Sequence, residues 1–176
     1  MEAEMETDWS KLAHDALCLV FVKLGAVEVL TGAALVCRSW LQAAKLPDPL
    51  WQSLDMERLH NKLPLKNKPA LRAMAKEAVD RASGRLEAFT AEWFVNDELL
   101  GYIASRSPSL KRLKLVDCSI TNGVLMDLLD CCPYLEVLYV SDCCNIIIDG
   151  ALLAKCGRIS ALTLIPFYYE CCRLAW

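Results

Sequence analysis

Ten cysteines are the most reactive candidates in this 176-residue chain, because thiolates bind metal ions and attack electrophilic atoms. A structural zinc site needs Cys-x2–4-Cys pairs that converge on one point. Cys118 and Cys143 are instead 25 positions apart, and Cys132 and Cys156 are 24 positions apart. This wide, regular spacing favours small hydrophobic packing residues. We therefore predict no metal site and no cofactor.

Catalysis by a cysteine nucleophile has little support in the sequence. Such a nucleophile needs a base nearby, and the two histidines, His14 and His60, both lie in the N-terminal third of the chain. The paired zinc ligands of a RING-type ligase are also missing from the sequence. We therefore predict a non-catalytic protein. The pattern assigns no role to the other cysteines of the doublets, which are Cys131, Cys144, Cys171 and Cys172.

The charge of the chain argues against a dedicated nucleic-acid or anionic-membrane binder, since the formal net charge is −3. A basic stretch between Lys62 and Lys76 has the spacing of a solvated loop and helix face. We therefore expect neither nucleic acid nor a membrane among the partners.

One apolar stretch, residues 16–36, has the length of a membrane span. Lys23 and Glu28 lie in its middle, where each would cost roughly 2.5–3.5 kcal/mol in a bilayer. Gly25 and Gly32 divide the stretch, so it predicts two short amphipathic helices. Residues 1–8 are Met and mostly acidic, which predicts a disordered tail and no secretory signal. We expect reduced thiols and a cytoplasmic or nuclear location.

The elements that must position the cysteines recur with a fixed period. The pattern L-x-x-L-x-L, with conservative replacements, begins at Leu86, Leu110, Leu135 and Ile159. A period of 20–29 residues with this pattern is typical of leucine-rich repeats, which stack strand on strand and present one continuous face. We predict three reasonably full repeats over 86–176, the last one truncated. The unusual apolar ending predicts that residues 159–176 exchange amide hydrogens fastest among the repeats and favour aggregation.

The helices around these strands follow from apolar spacing and capping residues. Leu17, Val20, Phe21 and Leu24 predict the inner face of a first helix that ends at Gly25. Further helices are predicted over 27–35, over 36–45 and from Pro69 to Gly84. Side chains that can cap the repeat helices are Asp97, Asn122 and Asp149. The predicted class is α+β, with three N-terminal helices followed by a short right-handed strand–helix solenoid.

Side chains alternate along a strand, so the residues between the leucines point outward. Repeat proteins bind partners on this concave face, although an inert solvated face is the alternative. The residues predicted to bind a protein substrate there are Arg112, Lys114, Val116, Val137, Tyr139, Ser141 and Thr163.

The N-terminal third resembles an F-box. The resemblance rests on the segments Leu12-Ala13-x-Asp15-x-Leu17-x-x-Val20-Phe21-x-x-Leu24, Val36-Cys37-Arg38-x-Trp40 and Leu50-Trp51. The repeats resemble the cysteine-containing type of F-box proteins, through Cys118-x-Ile120-Thr121-Asn122-Gly123-Val124 and Cys132-Pro133. With both features, the sequence most resembles plant F-box/leucine-rich-repeat proteins. Ala13 departs from the family pattern, which has proline there.

This resemblance implies a substrate receptor of a Skp–cullin–F-box ubiquitin ligase. Its partners would be a Skp-type adaptor, through it a cullin, and an unknown protein substrate. The domains would be a tail over 1–8, an F-box over 9–51, a linker and helix over 52–85, and repeats over 86–176. The alternative is a non-ligase interaction module or a truncated dominant-negative fragment. The residues implied to bind the adaptor are Leu12, Ala13, Asp15, Leu17, Val20, Phe21, Leu24, Val36, Cys37 and Trp40.

Overall fold

The computed structural model of the chain describes residues 9–46, 49–57 and 67–167. Its N-terminal part contains three helices, α1 (His14–Leu24), α2 (Ala26–Thr31) and α3 (Arg38–Lys45). Within the described ranges no single helix has the length and hydropathy of a membrane span. Helix α1 and the segment Ala26–Leu35 reach that length and hydropathy only when taken together, and a bend of 111° separates the two.

Two of these helices are shorter than predicted. The predicted second helix ends at Thr31, and Ala33–Leu35 forms a separate 3₁₀ turn after Gly32. The third begins at Arg38 rather than Val36. Gly25 separates α1 from α2 as predicted, at φ 88°, a backbone angle that favours glycine.

The inner face of α1 is narrower than its apolar spacing predicts. Leu17 and Phe21 are buried, and the Phe21 ring meets Trp40 edge-on at a centroid distance of 5.8 Å. Val20 and Leu24 remain 36% and 41% exposed. The structure therefore corrects the prediction that all four residues point inward, because α1 is covered on one side only.

Five parallel strands form one sheet in the order β1-β2-β3-β4-β5. They are β1 (Ser53–Met56), β2 (Ala88–Glu92), β3 (Arg112–Val116), β4 (Val137–Ser141) and β5 (Ala161–Ile165). The second apolar residue of each repeat lies in one row across the sheet, which is Leu54, Phe89, Leu113, Leu138 and Leu162. The architecture mixes helices with a parallel sheet, compatible with the predicted α+β class.

The first strand, β1, was not predicted, because its segment was assigned to a linker. Its core side chains, Leu54 and Met56, pair in register with Phe89 and Ala91 of β2. Trp51, fully buried, precedes Leu54 by three positions, as Leu86 precedes Phe89. The sheet therefore begins inside the segment assigned to the linker, about one strand before the predicted start of the repeats.

Four further helices pack behind the sheet, namely α4 (Lys68–Ala82), α5 (Asp97–Arg106), α6 (Asn122–Cys131) and α7 (Gly150–Lys155). Asp149 caps α7 as predicted, since its Oδ1 accepts a hydrogen bond from the Leu152 N–H at 2.8 Å. The prediction for α5 was wrong by one residue, because Asn96 caps it instead of Asp97.

Asp97 and Asn122 connect neighbouring repeats instead of capping helices. The Asp97 carboxylate accepts hydrogen bonds from the backbone N–H and hydroxyl of Thr121, at 2.8 and 2.9 Å. The Asn122 amide donates to the Ile147 carbonyl at 2.7 Å and accepts from the Ile147 N–H at 2.9 Å. These side chains therefore fix each loop to the loop of the next repeat.

Helix α4 joins the N-terminal helices to the sheet. Arg81 donates a hydrogen bond to the Ala44 carbonyl at 3.3 Å, and its guanidinium lies 5.1 Å from the centre of the Trp51 ring. Arg72 donates to the Phe94 carbonyl at 2.7 Å. One hydrophobic core runs from Leu17 to Ile159, so the helical unit and the sheet share buried contacts.

The strand β5 is the most exposed part of the sheet, with Leu162 37% and Ile165 41% exposed. Stacked repeats stabilise each other through contacts on both sides, and β4 is the neighbour of β5 in the described sheet. We predict that β5 exchanges amide hydrogens faster than β2, β3 and β4 in mass spectrometry. Exchange as slow as that of β3 would contradict this prediction. Residues 168–176 lie outside the described residues.

Candidate protein-interaction surfaces

The repeat cysteines lie in the core, between adjacent repeats. The Cys118 N–H donates to Cys143 Sγ at 3.3 Å, and each thiol donates to the carbonyl two residues earlier in its own repeat. The interaction of the Cys118 thiol with the Cys143 side chain, together with burial, raises the pKa of the Cys118 thiol far above its usual range. Among the described residues no cluster of three metal-ligating side chains occurs. The geometry is that of packing residues.

Burial also suppresses the reactivity of Cys132, since desolvation raises its pKa to about 11. At pH 8 only about one Cys132 thiol in a thousand would be ionised, and the thiolate is the reactive form. We predict that an alkylating reagent modifies the exposed Cys131 and Cys144 in the folded chain but modifies Cys118, Cys132, Cys143 and Cys156 only after denaturation. Mass spectrometry of the alkylated peptides checks this. Equal labelling of both groups in folded protein would contradict it.

Eight large apolar side chains are exposed on the N-terminal helices and their adjoining turns. Three short helices cannot bury all their own apolar side chains, and apolar side chains exposed together on a small unit mark a candidate interface. We call this the N-terminal apolar surface. It comprises Trp9, Leu19, Val20, Val22, Leu24, Leu35, Val36 and Leu46, all at least 36% exposed.

The ten residues implied to bind the adaptor divide into three groups in the structure. Ala13, Asp15, Val20, Leu24 and Val36 are exposed, whereas Leu12, Cys37 and Trp40 are half-buried. Leu17 and Phe21 are only 3% and 1% exposed. These two therefore support the surface from inside instead of forming part of it. The adaptor role of all ten residues stays a prediction.

The most exposed members of the surface escaped sequence reasoning, namely Leu19 at 66% and Leu35 at 73% exposure. Their apolar character gave no sign that they lie outside the core. A groove of about 330 Å³ between α1 and α3 is lined by Leu12, His14 and Leu46 among others. A second groove of about 470 Å³ is lined by Leu19 and Val22 among others.

The turn before α1 has alanine at the position where the family pattern has proline. Ala13 has φ −57°, close to the angle that proline imposes. Trp40 Nε1 donates to the Trp9 carbonyl at 3.0 Å, and Ser39 donates to the Ser10 carbonyl at 3.1 Å. Hydrogen bonds to α3 therefore hold the turn where proline would restrict it.

The outward face of the sheet carries rows of aligned side chains. The central row is Asp55, Thr90, Lys114, Tyr139 and Thr163, one from each strand. Lys114 Nζ lies 2.5 Å from Glu57 Oε1 and 5.6 Å from the centre of the Tyr139 ring. The hydrogen bond to Glu57 raises the pKa of Lys114, so its ammonium stays charged.

Most of the residues predicted to bind a substrate are accessible on this face. Arg112 and Thr163 are exposed, and Lys114, Val116, Val137 and Tyr139 are half-buried. Ser141 is the exception at 3% exposure, since its small side chain sits between the larger register partners Val116 and Ile165. Sequence reasoning missed Asp55 and Glu57, because β1 was not predicted.

Stacked strand–helix units with a buried leucine ladder define a leucine-rich-repeat protein with an N-terminal helical unit. No model of a known protein family matches the chain. Several proteins of Arabidopsis thaliana do match it. F-box protein SKIP19 is 35% identical over 81% of this chain, and putative F-box/LRR-repeat protein 23 is 32% identical over 86%. F-box protein FBW2 is 32% identical over 83% of the chain.

The chain belongs to the plant F-box/leucine-rich-repeat proteins. It covers 46%, 32% and 45% of the length of the three relatives, so it spans about half their length or less. Among solved structures, the tropomodulin C-terminal domain of Caenorhabditis elegans is 15% identical, with a TM-score of 0.40 over 58% of this chain. That likeness supports no conclusion about fold or function.

Proposed function

We propose that the chain is a non-catalytic substrate receptor of a Skp–cullin–F-box ubiquitin ligase. In this proposal α1 to α3 form the F-box and bind a Skp-type adaptor, which in turn binds a cullin. The strand–helix units form a leucine-rich-repeat solenoid, and its outward sheet face binds a target protein. The complex would work in the cytoplasm or nucleus. The chain would accelerate ubiquitin transfer by holding the target close to the catalytic subunits.

The observation that supports adaptor binding most is the N-terminal apolar surface. Eight large apolar side chains lie open within residues 9–46, on the segment where the F-box resemblance was found. Burial of such apolar side chains against a partner stabilises the complex by roughly 25 cal/mol per Å² of surface removed from water. The relatives are named F-box proteins, which supports the same assignment.

The contacts that α4 makes with both the helical unit and the sheet support the receptor part of the proposal. Arg81 connects Ala44 of the helical unit to the ring of Trp51, which begins the ladder of the sheet. A target on the sheet would then lie at a constant distance from an adaptor on the helices. Such a geometry suits transfer by proximity.

Reconstitution tests the proposal. The chain would be co-expressed with a plant Skp-type adaptor, purified as a complex and combined with cullin, RING subunit and ubiquitin enzymes. We expect a stoichiometric complex and ubiquitylation of a target held by the repeats. A folded chain that binds no adaptor would overturn the F-box assignment, whereas adaptor binding without transfer to any captured protein would favour a non-ligase interaction module.

A further inference from the structure

A groove of about 550 Å³ crosses the outward face of the sheet from β1 to β4. It follows the central row of side chains from Asp55 to Tyr139, and small residues such as Ser53 and Ala88 leave room beside that row. We call it the sheet groove. The order of its charged and apolar residues indicates which kind of ligand can bind there.

Arg112 is the open cation of the sheet groove. The other cation, Lys114, already pairs with Glu57 at 2.5 Å. The exposed Arg112 guanidinium makes no hydrogen bond or ion pair with any residue that the structure describes, and its register partners, Ala88 and Val137, carry no charge. A free guanidinium presents a planar set of N–H donors that matches a carboxylate.

Asp55 supplies a negative charge two strands away, on β1. Its Oδ1 accepts a hydrogen bond from the Glu57 N–H at 2.9 Å, and no described cation pairs with the carboxylate. Asp55 is in register with Lys114, two positions along β3 from Arg112. Neighbouring strands are about 4.8 Å apart and each residue advances about 3.3 Å, so Arg112 and Asp55 are separated by roughly 12 Å along a diagonal of the sheet. The groove therefore offers one positive and one negative contact at a defined separation.

The β4 side of the sheet groove is apolar. Val137 and Tyr139 are half-buried and line it next to Arg112 and Lys114. The Lys114 ammonium lies over the Tyr139 ring at 5.6 Å, which holds the ring beside the groove. An apolar side chain placed here would be removed from water against both residues.

We propose that the sheet groove binds an extended peptide segment of the target that crosses the strands, with an acidic side chain on Arg112, a basic side chain on Asp55 and an apolar side chain on Val137. An extended chain advances about 3.3 Å per residue and only every second side chain faces the sheet, so a separation of roughly 12 Å places the acidic and basic residues four positions apart. This inference rests on the proposed role of the sheet face in target binding and names the chemistry of that target.

A random library of nine-residue peptides, selected on the purified full chain, tests the inference. We expect enrichment of peptides with an acidic and a basic residue four positions apart and an apolar residue two positions from the acidic one, on the side away from the basic residue. The Arg112→Glu variant should bind the enriched peptide about tenfold more weakly, because attraction becomes repulsion. A peptide with lysine in place of the acidic residue should recover binding to that variant.

Arg85→Glu is the matched control, since Arg85 is an exposed arginine in the turn after α4, outside the groove, and it should leave peptide affinity unchanged. The inference is overturned if the enriched peptides lack the charge pair, if Arg112→Glu selects the same peptides as the wild type, or if no peptide is enriched. Adaptor co-purification with the same wild-type chain reports separately on the proposed function. Peptides that lack the charge pair but are lost with Tyr139→Glu would overturn this inference and leave target binding by the sheet standing.

Discussion

Replacing Phe21 with aspartate is expected to unfold the N-terminal helical unit. The Phe21 side chain is 1% exposed and packs edge-on against Trp40. The change would leave a cavity and an unpaired buried charge, which together cost about 4 kcal/mol or more. That is a large share of the roughly 5–15 kcal/mol that stabilises a typical domain. Hydrogen exchange of peptides from α1 to α3 would measure the loss of protection.

Val20→Asp is the matched control, because Val20 is adjacent in sequence and 36% exposed. It should change the free energy of unfolding by less than about 1 kcal/mol. Equal stability of the two variants would contradict the assignment of Phe21 to the core. Loss of adaptor binding by Phe21→Asp would then report unfolding, so this variant cannot identify a contact residue.

The second large effect is expected at Phe89, in the interior of the sheet. Phe89 is 1% exposed, between Leu54 and Leu113 in the buried row. Phe89→Ala should lower the free energy of unfolding by about 3–5 kcal/mol, since it removes a buried aromatic ring and leaves a cavity. Urea unfolding followed by circular dichroism measures the change.

Thr90→Ala provides the comparison for Phe89, because Thr90 is the next residue and faces outward on the central row. Its effect should stay within about 0.5 kcal/mol. A loss at Thr90 as large as that at Phe89 would mean that the inward and outward faces of β2 have been exchanged.

The repeats could be predicted because stacking requires the same buried residue at the same place in every unit. Leu113 and Leu138 are paired in register, as their shared position in the pattern requires. The strand β1 has the same pattern, as Trp51-x-x-Leu54-x-Met56. This copy of the pattern was missed because it begins at Trp51, 35 residues before Leu86 and outside the regular period. Trp51 had also been assigned to the end of the F-box.

The exposed apolar surface could not be predicted in the same way. Apolar spacing shows which residues a helix groups together, but not whether another element covers them. Leu35 at 73% exposure and Leu17 at 3% are both leucines on helical segments of the same unit. The difference lies in tertiary packing. Likewise, the charge order of the sheet groove depends on Asp55, whose position follows from the register of β1 with β2.

The affinity of the chain for a Skp-type adaptor tests the central claim most directly. Val36→Asp alters a residue that is 60% exposed on the N-terminal apolar surface, and Tyr134→Asp alters one that is 64% exposed in the turn after α6. Both should fold as the wild type does. Calorimetry should show wild-type binding, a loss of at least about 100-fold for Val36→Asp because a charge enters an apolar contact, and little change for Tyr134→Asp. Full affinity of a folded Val36→Asp chain, or no binding by the wild type, would contradict the account.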